Sequence, residues 1–183
     1  MEIEASRARH GRITLHVVAS LAVLAALVLW MQALGRPLFC PCGTVRLWAP
    51  AHDSQQFADW YSLLHVSFGL GLFLLVDHFQ PRWPAAPRAL VALLSSTVWE
   101  AIENLPAVIA RFNAPGASYS GDTILNAMGD TLFVMIGFAL AARLSARATW
   151  LAVASVEIAT WFAIRDGFLA GTARLLFAEP STG

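Results

Sequence analysis

Five predominantly apolar stretches, four of about 20 residues and one slightly shorter, run along this chain: Ile13–Leu34, Trp60–Phe79, Ala89–Ile109, Thr123–Ala142 and Ala148–Ile164. An α-helix needs about 20 such residues to cross the hydrocarbon of a bilayer. Within lipid a backbone must satisfy its own N–H and C=O groups, so segments of this kind are confined to helix. The pattern predicts an all-α fold: a polytopic membrane helical bundle of about five transmembrane helices, forming one integral membrane domain over residues 1–183. The chain is 57% hydrophobic and 13% charged, whereas soluble domains carry roughly 25% charged residues. Its 12 basic residues, all Arg, balance 12 acids. No basic field is left over to attract nucleic acid.

Turn chemistry separates the stretches. "GRPLFCPCG" follows the first, "QPRWPAAPR" the second, "NAPGASYSG" precedes the fourth, and "RLSAR" divides the fourth from the fifth. Pro84 and Pro87 suit a tight turn, with Pro87 or Arg88 opening the third helix. Arg7, Arg9 and Arg12 precede the first stretch as they would a signal peptide. Its apolar run exceeds the usual 7–15 residues of such a segment, so it reads as an uncleaved first helix. Arginine placement favours a cytoplasmic N-terminus, with Arg82, Arg88, Arg143 and Arg147 on that side and Arg36, Arg46, Arg111, Arg165 and Arg174 on the other. The segment Gly167–Ala178 is too short to cross and is expected to lie along the outer surface.

This topology gathers the ionisable groups in one leaflet, the outer one. His65 lies near the start of the second stretch. Glu100, Glu103 and Asn104, in "WEAIENLP", lie towards the end of the third. Asp122, Asn126 and Asp130 open the fourth, and Glu157 and Arg165 lie in the outer half of the fifth. Glu100, Glu103 and Asn104 are spaced i, i+3, i+4 and share a helix face. Asp122, Asn126 and Asp130 are spaced i, i+4, i+8 and form one stripe. Each polar side must turn inward, away from lipid. A charge at the bilayer centre costs about 2.5–3.5 kcal/mol on insertion scales, so the group needs pairing, water or a ligand.

Each residue also has a plainer reading. Asp59, in "FADWYS", and Asp122, in "YSGDTILN", suit helix N-caps as well as site positions. Asp130 and Glu157 lie deeper, where an interhelical hydrogen bond would satisfy them. Glu100 and Glu103 stand near a helix C-terminus, where the dipole favours cations, so capping does not explain them. Their structural alternative is an ion pair with Arg111 or Arg165. His65 reads either as a hydrogen-bonded core residue or, beside so many carboxylates, as part of a site. Gly69, Gly71, Gly129 and Gly137 suit close helix packing. Cys40 and Cys42 fall on the side where thiols are oxidised, but a C-x-C pair closes a very small loop and a mutual disulfide is not the favoured reading.

In order, "GRPLFCPCGTVRLW", "SQQFADWYSLLHVSFG", "WEAIEN", "YSGDTILNAMGDTL" and "IRDG" resemble an uncharacterised family of bacterial multi-pass inner-membrane proteins. The resemblance covers about Gly35 to Gly167 and implies the bacterial cytoplasmic (inner) membrane. Where that family pattern has a second histidine soon after His65, this chain has Ser67 and Phe68. More distantly, Asp59, His65, Glu100 or Glu103, Arg111, Asp122, Asn126 and Gly129 are similar to the polar pattern of VanZ-like membrane proteins. That likeness implies a cell-envelope setting and no particular chemistry.

Two functions of different class follow. One is a pocket for an envelope lipid or lipid-linked molecule. In it Glu100, Glu103, His65 and Asp122 are the candidate catalytic groups. Asp59, Asn104, Arg111, Asn126, Asp130, Glu157 and Arg165 bind the ligand, the arginines through phosphate. A divalent metal held by His65, Glu103, Asp122 and Asp130 is a variant that this reading does not favour. The other is a non-enzymatic accessory or assembly subunit, whose polar seam is structural or meets a membrane protein partner. Ion transport is disfavoured, because the polar groups stop in one leaflet.

Overall fold

The computed structural model describes residues 2–51, 54–113 and 119–177, with side chains from residue 13 onward. The side chains of Arg7, Arg9 and Arg12, together with His52, Ser118 and Ala178, lie outside the described residues. Within them the chain forms seven helices: α1 Glu2–Ala33, α2 Trp60–Phe79, α3 Ala85–Glu103, α4 Pro106–Phe112, α5 Ile124–Ala141, α6 Ala146–Ile164 and α7 Phe168–Phe177. There is no strand among the described residues. Three segments, Ile13–Ala33, Trp60–Phe79 and Ile124–Ala141, are long and apolar enough to cross a membrane. That is fewer than the five expected. α3 and α6 are long enough at 19 residues each, but polar residues such as Ser95, Ser96, Thr97, Glu100 and Glu103 lower the hydropathy of α3, as do Thr149, Ser155, Glu157 and Thr160 that of α6.

The third stretch also differs from expectation in its boundaries. It begins at Ala85 and ends at Glu103 instead of running to Ile109. Pro106 is the cause. It forces Leu105 into extended backbone (φ −69°, ψ 138°), as a residue before proline prefers, and then opens α4 as its first residue. The break releases the carbonyl of Asn104, which accepts a hydrogen bond from the Arg36 guanidinium at 3.3 Å.

α2 and α5 form the centre of the bundle, with α6 and α3 packed beside them and α1 against α3. Glycine lets α2 and α5 touch backbone to backbone. A Cβ on Gly69 would collide with the Val134 carbonyl, and one on Gly137 with the Val66 carbonyl. Such small-residue contacts replace the hydrophobic drive that helices lose in lipid. Beyond them Leu72, Val76, Ala92 and Phe138 form one buried cluster, with Phe73 edge-on to Phe138 at 5.2 Å. A second cluster joins Leu27 and Met31 of α1 to Ile124 and Ala127 of α5. Large apolar side chains such as Leu21, Leu29, Leu151, Ile158 and Phe162 face outward, as a lipid-facing belt would require.

The segment between α1 and α2 seats the start of α5. The Pro37 and Leu38 carbonyls accept the N–H groups of Ile124 and Leu125, and the Ser54 carbonyl accepts that of Thr123. Contrary to the expectation from spacing, Cys40 and Cys42 are joined by a disulfide. Their Cα atoms are 5.1 Å apart, inside the ordinary range for such a bond. Gln56 spans this loop, its amide donating to the Thr44 carbonyl at 3.1 Å and its oxygen accepting the Arg46 N–H at 2.7 Å.

Gly137→Val should push α2 and α5 apart and cost about 1–3 kcal/mol, the usual range for overpacking. Gly71→Ala, where a Cβ meets nothing within 4 Å, should leave stability unchanged or slightly higher. Thermal unfolding of both variants in mild detergent checks the pair.

Candidate functional site

Three helices bring their polar residues to one end of the bundle. From α2, His65 lies between carboxylates on two neighbours: Nδ1 is 3.6 Å from Glu100 Oε1 on α3, and Nε2 is 3.7 Å from Asp130 Oδ2 on α5. Glu103 stands one turn beyond Glu100, and the Trp99 side chain hydrogen-bonds to it. His65, Glu100 and Glu103 each offer a ligand atom, all within 4.8 Å of one another. Glu100 is completely buried, and neither of its carboxylate oxygens has a hydrogen-bond partner.

Around this trio the other acids are held by named donors. Asp59 caps α2, accepting the Tyr61 N–H at 2.8 Å and the Ser54 N–H at 2.6 Å. Its own N–H bonds to the Ser62 hydroxyl, which in turn donates to Asp130 Oδ1 at 2.8 Å. The cap of α2 thereby positions the carboxylate beside His65. Asn104 and Asp122 are paired reciprocally: the Asn104 amide donates to the Asp122 carboxylate, and its oxygen accepts the Asp122 N–H at 2.8 Å. Tyr119 donates to the same carboxylate at 3.0 Å. Burial raises the Asp122 carboxyl above the usual aspartate range, against the hydrogen bonds from Asn104 and Tyr119 that pull it down. Burial, reinforced by the Asp122 charge, pushes the Tyr119 phenol well above its ordinary value, so it stays a donor. Gly121, at φ +85°, a backbone conformation that other residues rarely adopt, brings the chain against the Arg36 guanidinium.

A cavity of about 800 Å³ opens beside these groups. Its polar wall includes His65, Glu103, Tyr119, Asp122, Asp130 and Asp166, and its apolar wall includes Leu64, Phe68, Phe112, Phe168 and Leu175. α7 supplies one side. It packs on α4. Its first N–H groups, those of Phe168 and Leu169, are accepted by the Glu157 carboxylate at 2.8 and 3.0 Å. Near its far end the Leu175 carbonyl accepts from Arg111 at 2.9 Å.

The structure thus brings together His65, Glu100, Glu103, Asp122 and Asp130, with Asn104 and Asp59 as their supports. Glu157, Arg111 and Arg165 stand elsewhere. Arg165 is exposed and ends α6 in a left-handed conformation. Asn126 lies behind the cavity, its amide donating to the Gln56 carbonyl at 2.9 Å and its oxygen buried without a partner. Sequence reasoning missed Tyr61, Asp166 and Arg174 as wall residues. Tyr61 donates to Asp166 at 2.9 Å, and Arg174 forms an ion pair with Asp166. The "IRDG" signal was present, but only the packing of α7 shows that it closes the cavity.

Comparison with known proteins identifies the class. Residues 31–178 match the family described as "Protein of unknown function (DUF2585)", and the chain belongs to that family. Relatives carry the name UPF0314 protein. That of Paracoccus denitrificans is 36% identical over 165 residues, covering 87% of this chain and 86% of its own length. That of Brucella anthropi is 33% identical over 178 residues, covering 94% and 91%. That of Rhizobium meliloti is 38% identical over 165 residues, covering 86% and 83%. No solved structure gives a significant match.

Asn104→Ala removes one of the side-chain donors to the buried Asp122 carboxyl and should cost about 1–3 kcal/mol, because the oxygen left unpaired forfeits its solvation. Asp122→Asn keeps the shape and should cost less. The folded protein holds the Asp122 proton more tightly than the unfolded chain does, so this residue's contribution to stability falls as pH rises through its raised pKa. Asp122→Asn should flatten that part of the stability–pH profile, measured by thermal unfolding between acidic and neutral pH.

Proposed function

We propose that the chain is a multi-pass protein of the bacterial inner membrane whose cavity receives the polar group of an envelope lipid or lipid-linked molecule. In this reading α1, α2, α3, α5 and α6 cross the bilayer, the N-terminus is cytoplasmic, and the cavity faces the outer leaflet. The observation that carries it is the cavity itself. A volume of about 800 Å³ suits a small-molecule site, and one apolar wall beside one acidic wall suits an amphiphile. Arg111 and Arg165 do not line it, and Arg174, which does, is paired with Asp166, so the acidic wall favours hydroxyl- or amine-bearing groups over a bare phosphate. Glu103 faces the cavity and Glu100 does not, so Glu103 with His65 is the pair placed to exchange protons with a ligand if chemistry occurs.

A second reading, an accessory subunit with a purely structural seam, draws support from how many polar groups are engaged with backbone. Asp59, Asn104, Asn126 and Glu157 all hold loop or helix-end groups.

Native mass spectrometry of the protein released from mild detergent, beside Glu103→Gln, separates the two. The pocket reading expects a retained lipid mass that is lost in a variant as abundant and stable as wild type. A bare mass in both, or a variant depleted of folded protein, would favour the structural seam.

A further inference from the structure

We propose that His65, Glu100 and Glu103 form a binding site for one divalent metal ion of the manganese, iron or zinc class, with Asp130 orienting the His65 ring from its other side. Charge compensation is the first argument. Glu100, Glu103 and Asp130 converge on one imidazole, and the nearby arginines are engaged elsewhere among the described residues. Arg36 bonds to the Ser120 and Asn104 carbonyls, Arg174 pairs with Asp166, and Arg111 bonds to the Leu175 carbonyl. A buried carboxylate without a partner is costly by several kcal/mol, and Glu100 has neither oxygen hydrogen-bonded while being fully enclosed.

Geometry is the second. Ligand atoms around an ion with bonds of about 2.1 Å are at most about 4.2 Å apart. The three atoms here lie within 4.8 Å of one another, so side-chain movements of up to about 1 Å per ligand atom would bring them onto an ion. Glu100 and Glu103, one turn apart on α3, present both oxygens from a single rigid element, and His65 closes the site from α2. The donor set, one imidazole and two carboxylates, matches the borderline divalent ions better than calcium or magnesium.

The surroundings fit a ligating histidine. If Nδ1, which faces Glu100, takes the ion, Nε2 is left facing Asp130 at 3.7 Å. Asp130 is itself fixed by Ser62, and Ser62 by the Asp59 N–H. Ligating histidines commonly turn their other nitrogen to a carboxylate held in this way, and loss of that carboxylate costs 10–100-fold in affinity. The cavity lies beside the site, with His65, Glu103 and Asp130 in its wall, leaving access for water or a ligand oxygen. This inference goes beyond the lipid reading, and its test uses no lipid.

The test is Mn²⁺ binding to the purified full-length chain in detergent, followed by electron paramagnetic resonance with detection of coupled nitrogen. The expected result is about one Mn²⁺ per chain, coupled to one imidazole nitrogen. Glu100→Gln and His65→Ala should each weaken binding at least tenfold, Asp130→Asn by 10–100-fold, and Glu157→Gln not at all. Glu100→Asp should retain part of the affinity. Thermal unfolding without metal identifies any variant that fails to fold; in that case the wild-type nitrogen coupling decides. No bound Mn²⁺, a signal without nitrogen coupling, or binding unchanged in folded Glu100→Gln would overturn the site.

Discussion

The direct contact between α2 and α5 is the constraint from which the rest of the architecture follows. Gly69 and Gly137 remove the side chains that would separate the two backbones. One turn towards the polar end, the same approach puts His65 beside Asp130. α3 then completes the group, anchored to α5 by the Ser96 and Thr131 hydroxyls at 3.3 Å and carrying Glu100 to the imidazole. Were the two helices held a side chain further apart, the carboxylates would face separate, weaker surroundings. Close packing at the apolar end is therefore what concentrates charge at the polar end.

That concentration is selective. Most acids of the described chain are committed to a named partner: Asp59 and Glu157 to helix N-termini, Asp77 to Arg88, Asp122 to Asn104 and Tyr119, Asp166 to Arg174. Glu100 stands out as the carboxylate enclosed by protein without a hydrogen bond. Buried oxygens of Ser67, Asn113 and Asn126 also lack a hydrogen-bond partner, but Glu100 leaves both oxygens of an acid without one, which carries more meaning than the number of acids around it.

Much of this was legible in the chain. Apolar length and proline punctuation located the starts and ends of α2, α5 and α6 to within a few residues, and the spacing of Glu100 and Glu103 put them one turn apart on α3, where both come near His65. The role of Asn104 was not legible. It depends on Pro106 breaking the helix, which turns an apparent wall residue into the clamp on Asp122. Glu157 and Arg111 look alike in sequence to residues of a polar seam, yet each holds an end of α7, because helix-end carbonyls and N–H groups compete for the same side chains. Tyr61, Asp166 and Arg174 are separated by up to 113 residues in the chain, and no local pattern announces that they meet. Only three helices meet the length and hydropathy of a crossing segment, fewer than the five expected, because the polar residues of α3 and α6 lower their hydropathy.

The family match begins at Met31, one turn after α1 begins to pack: Leu27 is buried, and the Trp30 indole donates to the Ala101 carbonyl at 3.1 Å. Upstream, over the segment whose side chains are described, Leu27 is the one buried apolar residue. From Met31 onward come the Arg36 guanidinium that holds Asn104 and the Pro37 and Leu38 carbonyls that seat α5. The protein thus divides into the outward-facing length of α1, where most side chains are exposed, and a body whose side chains face one another. A substitution in the first meets only its surroundings, whereas one in the second meets several neighbours of the same chain at once.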